Sequence, residues 1–214
     1  MTALSKDVAS DLGQENARLR AELRAAREQQ AATADILKVI ASSPSDVQPV
    51  FDAIATSAKR LIGGFSAAVF RFVDDVGHLA AFTPTRPAAD ETWKASFPRR
   101  LSDFPPFEWV RGGEAAQIPD TEALPDVRDL GRLRGFRSVL VTPLMSGGVV
   151  IGLVSVSRLE PGSFADHHVQ LLQTFADQAV IAIENTRLFN ETQEALERQT
   201  ATADILKVIA SSPS

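Results

Sequence analysis

Cysteine is absent from the 214 residues of this chain. Without thiols there is no disulfide, no thiol nucleophile, no thiolate metal site and no cofactor attached through a thioether. The sequence also lacks a Gly-x-x-x-x-Gly-Lys loop and a Gly-x-Ser-x-Gly elbow, the motifs that cradle phosphates and present a nucleophilic serine. These absences remove several large classes of enzyme.

Excess positive charge and long apolar runs are missing as well. The net charge is -5, whereas a nucleic-acid-binding domain is expected to carry a basic surface. The longest apolar stretches, such as residues 149–156, are far too short to span a membrane. The first residues contain no apolar core of signal-peptide length. We therefore expect a cytoplasmic globular protein that binds neither nucleic acid nor a membrane.

The few residues that could carry chemistry do not form a convincing set. The histidines are His78, His167 and His168, and adjacent residues of a helix point about 100° apart, so His167 and His168 are not expected to share a metal. Asp74 and Asp75 fall in a turn-like segment, where solvated carboxylates are more common than general acids or bases. The sequence predicts neither a metal site nor a catalytic residue.

An internal repeat is the most informative feature. Residues 32–45, ATADILKVIASSPS, recur unchanged as residues 201–214. The match continues upstream at the same spacing of 169 residues, where 15–19 (ENARL) corresponds to 184–188 (ENTRL). A period of one domain length indicates a tandem array. We interpret the chain as part of a longer protein in which a second unit begins after this one.

Both copies carry a heptad pattern in one common frame. The a and d positions are Leu12, Asn16, Leu19, Leu23, Leu37 and Ile40 in the first copy, and Ile181, Asn185, Leu188, Leu206 and Ile209 in the second. An asparagine at a favours a parallel, in-register pair, so we predict a parallel homodimer. Alternatively, these stripes pack on their own domain, since alanine, threonine and glutamine weaken the seam. A DNA-reading zipper does not fit, because only Lys6 precedes residues 15–19 as a cation.

Periodicity and turn residues predict one α/β (α+β) domain between two long helices. The predicted elements are a helix capped by Ser45 and Gln48, a hairpin of strands 67–73 and 78–83, an irregular cover over 84–113, a strand at 115–118, a helix at 126–134, a hairpin of strands 138–144 and 149–157, and a helix from Phe164 to about Ser211. We divide the chain into a coiled-coil helix (1–44), a domain (45–190), and a signalling helix that opens the next repeat (191–214).

A series of motifs in order resembles the GAF domain, a relative of the PAS fold. The motifs are AAQIPD (115–120), GFRSVLVTPL (135–144), VIGLVSV (150–156) and FADQAVIAIEN (175–185). The resemblance spans about 46–190 and implies a central antiparallel sheet with flanking helices. The repeated join is similar to the spacer of bacterial multi-GAF signalling proteins that end in a histidine kinase or a nucleotide cyclase. The resemblance thus implies a non-catalytic sensor of a signal-transduction system, such as a two-component system, acting on a downstream output domain.

Known GAF subclasses do not supply a ligand. Bilin carriers and methionine-sulfoxide reductases of this family use cysteine, which is absent here. The cyclic-nucleotide signature of Asn-Lys, a downstream Phe and Asp-Glu is missing too. The cofactor and any small-molecule ligand therefore stay unknown, and a purely structural dimerisation spacer is the alternative function. An enclosed pocket of ligand size would distinguish the sensor from the spacer.

The segment that covers the pocket in the resembling family is rich in aromatic residues. We place the candidate ligand site at Phe82, Trp93, Phe97, Trp109, Asp120 and Arg137, because such sites combine aromatic walls with a few polar groups. Core packing is the alternative for each aromatic residue. Arg132, Arg134 and Arg137 could hold an anion, although a solvated basic face is the simpler interpretation.

Overall fold

The computed structural model describes residues 2–211, and the side chains of residues 12–205 and of Lys207. Three helices form one layer of the structure: α1 (Thr2–Ser42), α2 (Gln48–Ile62) and α6 (Asp166–Ser211). The side chains of the predicted seam residues Leu206 and Ile209 thus lie outside the described part. Residues 212–214 of the repeat lie outside it entirely.

A six-stranded antiparallel sheet lies against these helices in the order β3-β2-β1-β6-β5-β4. The strands are β1 (Ser66–Val73), β2 (Val76–Phe82), β3 (Arg99–Arg100), β4 (Ala116–Ile118), β5 (Ser138–Ser146) and β6 (Val149–Arg158). Two hairpins, β1–β2 and β5–β6, join through the pairing of β1 with β6, in which Val69 lies opposite Val154. The predicted mixed fold with a central antiparallel sheet is confirmed.

The connection between β2 and β5 covers the opposite face of the sheet. It contains α3 (Pro87–Ala95), α4 (Pro105–Val110) and α5 (Pro125–Arg134), with two short 3-10 turns at Leu101–Asp103 and Thr121–Ala123. Each of these three helices has a proline in its first turn, where its missing N–H costs nothing and its fixed φ favours helix. Pro87, Pro105 and Pro125 therefore start helices, whereas Pro84, Pro98 and Pro119 of the same connection lie outside them.

Alternation along the strands divides the core in two. Val154 and Val156 of β6 face the helical layer, whereas Leu153, the residue before Val154, faces the cover. The same division holds on β1, where Val69 lies under the helices and Phe70 under the cover. Because successive side chains of a strand point to opposite faces, the central strands β1 and β6 are buried on both sides.

Two helix starts differ from the sequence expectation. The capping pair of Ser45 and Gln48 does not form: α2 begins at Gln48, whose amide donates to the Asp46 carboxylate at 2.9 Å. The last helix begins at Asp166 rather than Phe164, because the Phe164 amide donates to the Gln117 side chain at 2.8 Å and so belongs to the loop. In both cases an alternative acceptor satisfies the backbone.

The turn between β1 and β2 is tighter than predicted. Val73 pairs with Val76, so only Asp74 and Asp75 form the loop, and both have positive φ, 50° and 60°. Aspartate tolerates this left-handed conformation better than most residues, and a two-residue loop of this kind fits the twist of a hairpin. The positive φ of this turn thus explains why aspartate occupies both of its positions.

The long helices reach beyond the domain. Among the described side chains, the buried residues of α1 are Ala32, Ile36 and Ile40 in its last third, and those of α6 lie between Leu171 and Ala182. Within the described residues no helix is long and apolar enough to cross a membrane.

Candidate functional site

A small cavity lies between the sheet and its cover. Its volume is about 40 Å³, room for a few water molecules at most. The walls are mainly apolar, and the larger lining side chains include Phe70, Trp93, Phe104, Trp109, Phe136 and Leu153. The cavity thus occurs in the segment where the sequence placed a ligand site, but most of the space is occupied by side chains.

An aromatic cluster fills that space around Phe70. The centroid of the Phe70 ring lies 5.7 Å from that of Trp93, 5.4 Å from Phe97 and 5.0 Å from Phe104. These separations are typical of edge-to-face and tilted aromatic packing. The cluster joins β1 to the cover and accounts for the buried state of Trp93, which is 7% exposed.

The four aromatic residues predicted for the site fall into two groups. Trp93 and Trp109 line the cavity. Phe82 and Phe97 pack edge-on against Trp93, with ring centroids 5.7 Å and 5.8 Å from the Trp93 centroid. They line an open surface groove together with His78 rather than the cavity. The structure therefore packs Phe82 and Phe97 against Trp93, and only Trp93 and Trp109 of the four line the cavity.

Asp120 and Arg137 are paired with each other outside the cavity wall. The Arg137 guanidinium donates to both carboxylate oxygens of Asp120, at 3.0 Å and 2.7 Å. The Glu122 amide donates to the same carboxylate at 3.0 Å, and these bonds hold the pKa of Asp120 below its usual range. Both side chains are partly exposed. This pair fixes the chain after β4 against the start of β5.

A buried ion pair lies beside the cavity, and the sequence analysis missed it. Arg134, at the end of α5, donates to the carboxylate of Asp90 on α3, and their side chains are 3% and 7% exposed. Arg134 also donates to Ser66 Oγ at 3.3 Å, and its guanidinium lies 4.1 Å from the Trp93 ring. The expected solvated basic face is therefore wrong at Arg134, because this guanidinium joins α5 to α3 and β1 inside the core.

Asp90 keeps its charge despite burial. Burial raises the pKa of the Asp90 carboxyl, but hydrogen bonds from the amide and hydroxyl of Thr85, both at 2.8 Å, and the contact with Arg134 outweigh it, so that the pKa is lowered overall. Burial lowers the pKa of Arg134, and the Asp90 charge opposes that effect. A hydrogen-bonded pair of opposite charges is the usual form in which such groups are buried. No sequence spacing signals this pair, since 44 residues separate its members.

One hydrogen-bond donor of a cavity-lining residue is unused, since Trp93 Nε1 has no hydrogen-bond partner within the described residues. Ser66, Ser155 and Ser157 also line the cavity, although Ser66 Oγ accepts from Arg134 and the Ser157 hydroxyl donates to the Ser66 carbonyl. An indole N–H can only donate, and a hydroxyl can donate and accept. This arrangement suits a small apolar molecule with a hydrogen-bond acceptor, or ordered water.

The histidines lie elsewhere. His167 and His168 have ring centroids 4.0 Å apart at the start of α6, and His168 Nδ1 lies 3.3 Å from the Arg158 guanidinium. Burial lowers the pKa of His168 to about 4, and the charges of His167 and Arg158 act in the same direction. In the part of the chain that the structure describes, no group of three or more metal-ligating side chains occurs.

The predicted dimer seam leaves large apolar residues exposed on both long helices. The exposed fractions are 59% for Leu12, 51% for Leu19, Leu23 and Leu188, 46% for Leu37, and 42% for Ile181. Asn185 is exposed, and Asn16 donates to the Leu12 carbonyl of its own helix at 3.1 Å. Ile40 differs, because it is buried in the core of its own domain.

Comparison with known proteins defines the class of this fold. The sequence model of the GAF domain family matches residues 44–184. No curated protein matches the sequence. The chain belongs to the GAF domain family, as its motifs predicted.

Solved structures with this fold come from different functional settings. The photoproduct state of the GAF3 domain of Slr1393 from Synechocystis is 21% identical, with a TM-score of 0.59, and covers 69% of this chain and 99% of its own. A domain of a two-component sensor histidine kinase protein from Sinorhizobium meliloti is 14% identical, with a TM-score of 0.57, covering 69% and 97%. The free methionine-R-sulfoxide reductase from Neisseria meningitidis, solved with its substrate, is 20% identical, with a TM-score of 0.57, covering 75% and 90%. GAF domains thus serve sensory proteins, and the same fold also supports an enzyme.

Proposed function

We propose that this chain is a non-catalytic, dimeric regulatory module that passes the state of its GAF domain, or of a neighbouring domain, along paired helices to an output domain such as a histidine kinase or nucleotide cyclase. One observation carries the proposal: α6 is a single helix, Asp166–Ser211, that belongs to the domain core at one end and projects from it at the other. A rigid element shared by both regions suits the transmission of small displacements.

The first part of α6 is bound tightly to the sheet. Phe175, Ala176, Ala179 and Ala182 are 0 to 1% exposed and pack in the core with Leu140 and Leu144 of β5. The small alanines let the helix approach the strand closely, so a change in the sheet moves the helix with it.

A polar contact at the tip of the β5–β6 hairpin adds to this attachment. The Ser146 hydroxyl donates to the Glu184 carboxylate at 2.6 Å, close to the point where α6 leaves the domain. Beyond it, Leu188 and Leu196 are 51% and 56% exposed. The proposed signal therefore passes from β5 and this hairpin into the projecting part of α6.

The exposed leucines favour a second copy of the chain as the partner. Burying a leucine side chain contributes about 1.5 to 3 kcal/mol, and the seam residues recur at heptad spacing on both α1 and α6. A parallel pair places the equivalent asparagines of the two copies opposite each other, where their amides satisfy one another. Both copies of the heptad pattern then act in one dimer.

The proposed input is either a small ligand in the cavity or a change in the adjoining domain. The Trp93 N–H and the serine hydroxyls support a ligand with a hydrogen-bond acceptor. The aromatic packing around Phe70 supports the alternative of a structural dimerisation spacer, because the cavity of about 40 Å³ is too small for a nucleotide or bilin. The absence of cysteine supports a non-catalytic role over sulfoxide reduction.

Light scattering of the 214-residue chain at micromolar concentration tests the dimer. We expect twice the chain mass of 23.1 kDa. Leu188→Asp introduces a charge into the seam and should weaken the dimer at least tenfold, whereas Gln193→Asp, outside the seam on the same helix, should leave it intact. A monomeric parent chain would refute the dimer.

Deletions in α6 test the relay, in a protein that carries an output domain after residue 214. Deleting the seven residues from Gln193 to Gln199 preserves the seam, whereas deleting four of them rotates it, so we expect output to survive the first change and fail after the second. Asn185→Leu should tighten the dimer but loosen its register. Equal output from both deletions would show that helix phase carries no signal.

A thermal-shift screen distinguishes the sensor from the spacer. Small aromatic acids are the compounds to test, with nucleotides, haem and bilins as controls that are too large for the cavity, because a ligand that binds the folded state raises the melting temperature. A ligand in the cavity should lose affinity in Trp93→Phe, which removes the free N–H. A screen without any stabilising compound favours the spacer.

A further inference from the structure

One sequence occupies two opposite environments in this molecule. Residues 32–42 and 201–211 are identical and helical in both places. In the first copy Ala32 and Ile36 are 1% and 0% exposed. In the second copy the equivalent residues are Ala201 and Ile205, which are exposed, Ile205 to 60%.

The domain itself buries the first copy. The last third of α1 contacts both α2 and α6, and Ile36 shares a core cluster with Phe51 and Ile54 of α2 and with Ala179 of α6. The segment is therefore a structural member of the GAF core rather than a spacer that precedes it.

The GAF core and the proposed dimer partner contact different faces of this helix. Ile36 is fully buried in the domain, whereas the next residue, Leu37, is 46% exposed and lies at a heptad a position. Consecutive residues of a helix point about 100° apart, so one face serves the domain and another serves the dimer. The same two faces exist in the second copy, because its sequence is the same.

We propose that residues 201–211 are the first helix of a second GAF core of the same kind, so that α6 is a core element of two successive domains. The exposed Ile205 face would then pack into a groove formed by the helices of the second domain that are equivalent to α2 and α6. Ala182 is the last buried residue of α6 among those whose side chains are described. From Ala182 to Ala201 there are 19 helical steps, which separate the two attachment points by about 28 Å. Two adjacent domains would share one rigid helix.

The repeat allows a direct test, because residues 46–214 can follow Ser214 without altering any junction. In this tandem protein, made in the Leu188→Asp background to remove the proposed dimer, calorimetry should record the unfolding heat of two domains. Ile205→Asp should abolish about half of that heat in the tandem and change nothing in the 214-residue chain. Ile36→Asp is the positive control in the single chain, and Lys207→Asp, whose counterpart Lys38 is exposed, is the neutral control in the tandem.

Hydrogen exchange gives a second measurement that does not depend on a substitution. In the tandem, peptides that begin before residue 201 and end beyond residue 214 report the second copy alone, since the sequences before residues 32 and 201 differ and the last copy ends the chain. Amides of 201–211 should exchange at least tenfold more slowly in the tandem than in the single chain. If the exchange rates are equal and Ile205→Asp leaves both transitions unchanged, the second copy is a linker and the proposal is wrong. Both measurements use the Leu188→Asp background, so neither outcome depends on the proposed dimer.

Discussion

Replacing Asp90 by alanine should destabilise the domain more than the loss of any exposed ion pair would. Asp90→Ala leaves the Arg134 guanidinium buried at 3% exposure without its carboxylate partner. Removing one member of a buried pair costs about 3 to 5 kcal/mol. For a chain of this size that corresponds to a fall in melting temperature on the order of 10 °C. Denaturant unfolding and calorimetry measure both quantities.

Replacing the other member of the pair, Arg134, should have a smaller effect on stability. In Arg134→Met the Asp90 carboxylate keeps the two Thr85 donors at 2.8 Å, so we expect a loss of about 1.5 to 3 kcal/mol. The double variant leaves no charge unpaired, and its loss should be smaller than the sum of the two single losses by about 2 kcal/mol. Additive losses, or a loss under about 1 kcal/mol for Asp90→Ala, would refute a buried, coupled pair.

Acid provides an independent check on the same pair. The pKa of Asp90 is lowered in the folded state, so its contribution is complete above the unfolded carboxyl pKa of about 3.9 and is lost as the pH falls through the lower folded pKa. The stability difference between the parent chain and Asp90→Ala should therefore be constant at neutral pH and shrink below about pH 4. A difference that shrinks already near neutral pH would assign the effect to another group.

Three further predictions concern other parts of the domain. Gly152→Ala would place a Cβ 2.2 Å from the Phe70 carbonyl oxygen, so it should cost about 1 to 3 kcal/mol or more, while Gly112→Ala, which meets nothing within 4 Å, should be neutral in the same unfolding assay. The pKa of His168 is lowered to about 4, so folding stability should fall as the pH drops from about 6.5 toward 4, and His168→Gln should flatten that profile; an unchanged profile would contradict the assignment. Ser146→Ala should lower stability by about 0.5 to 1.5 kcal/mol, and it should speed amide exchange around Glu184 more than near Leu172, a ratio that a general loss of stability would not produce.

The strands and the long helices could be predicted because their signals are local. The short apolar, valine-rich runs 138–144 and 149–157 and the glycines between them specify a hairpin, and the structure extends it only slightly to Ser146 and Arg158. β3 was missed, since two residues carry no periodicity. The family motifs then gave the order of elements, and with it the sheet.

The candidate site was harder to predict because it depends on long-range pairing. Asp120 and Arg137 are chemically suited to bind a ligand, but each satisfies the other across a separation of 17 residues. Arg134 resembles a surface residue at the end of a polar helix, yet Asp90 and Ser66 draw it into the core. In the same way Ile40 was assigned to the dimer seam although its domain buries it, since a heptad pattern does not state which neighbour covers each position.

The chain enters and leaves this domain on one side, because α1, α2 and α6 form a single layer, while the cavity lies on the other side of the sheet. A molecule in the cavity would never meet the helices that project from the domain. An effect of ligand binding on the helices would have to pass through the sheet, from Leu153 to the adjacent Val154 and from Phe70 to Val69. In the proposed relay the sheet therefore acts as the coupling layer between the cavity and the helices.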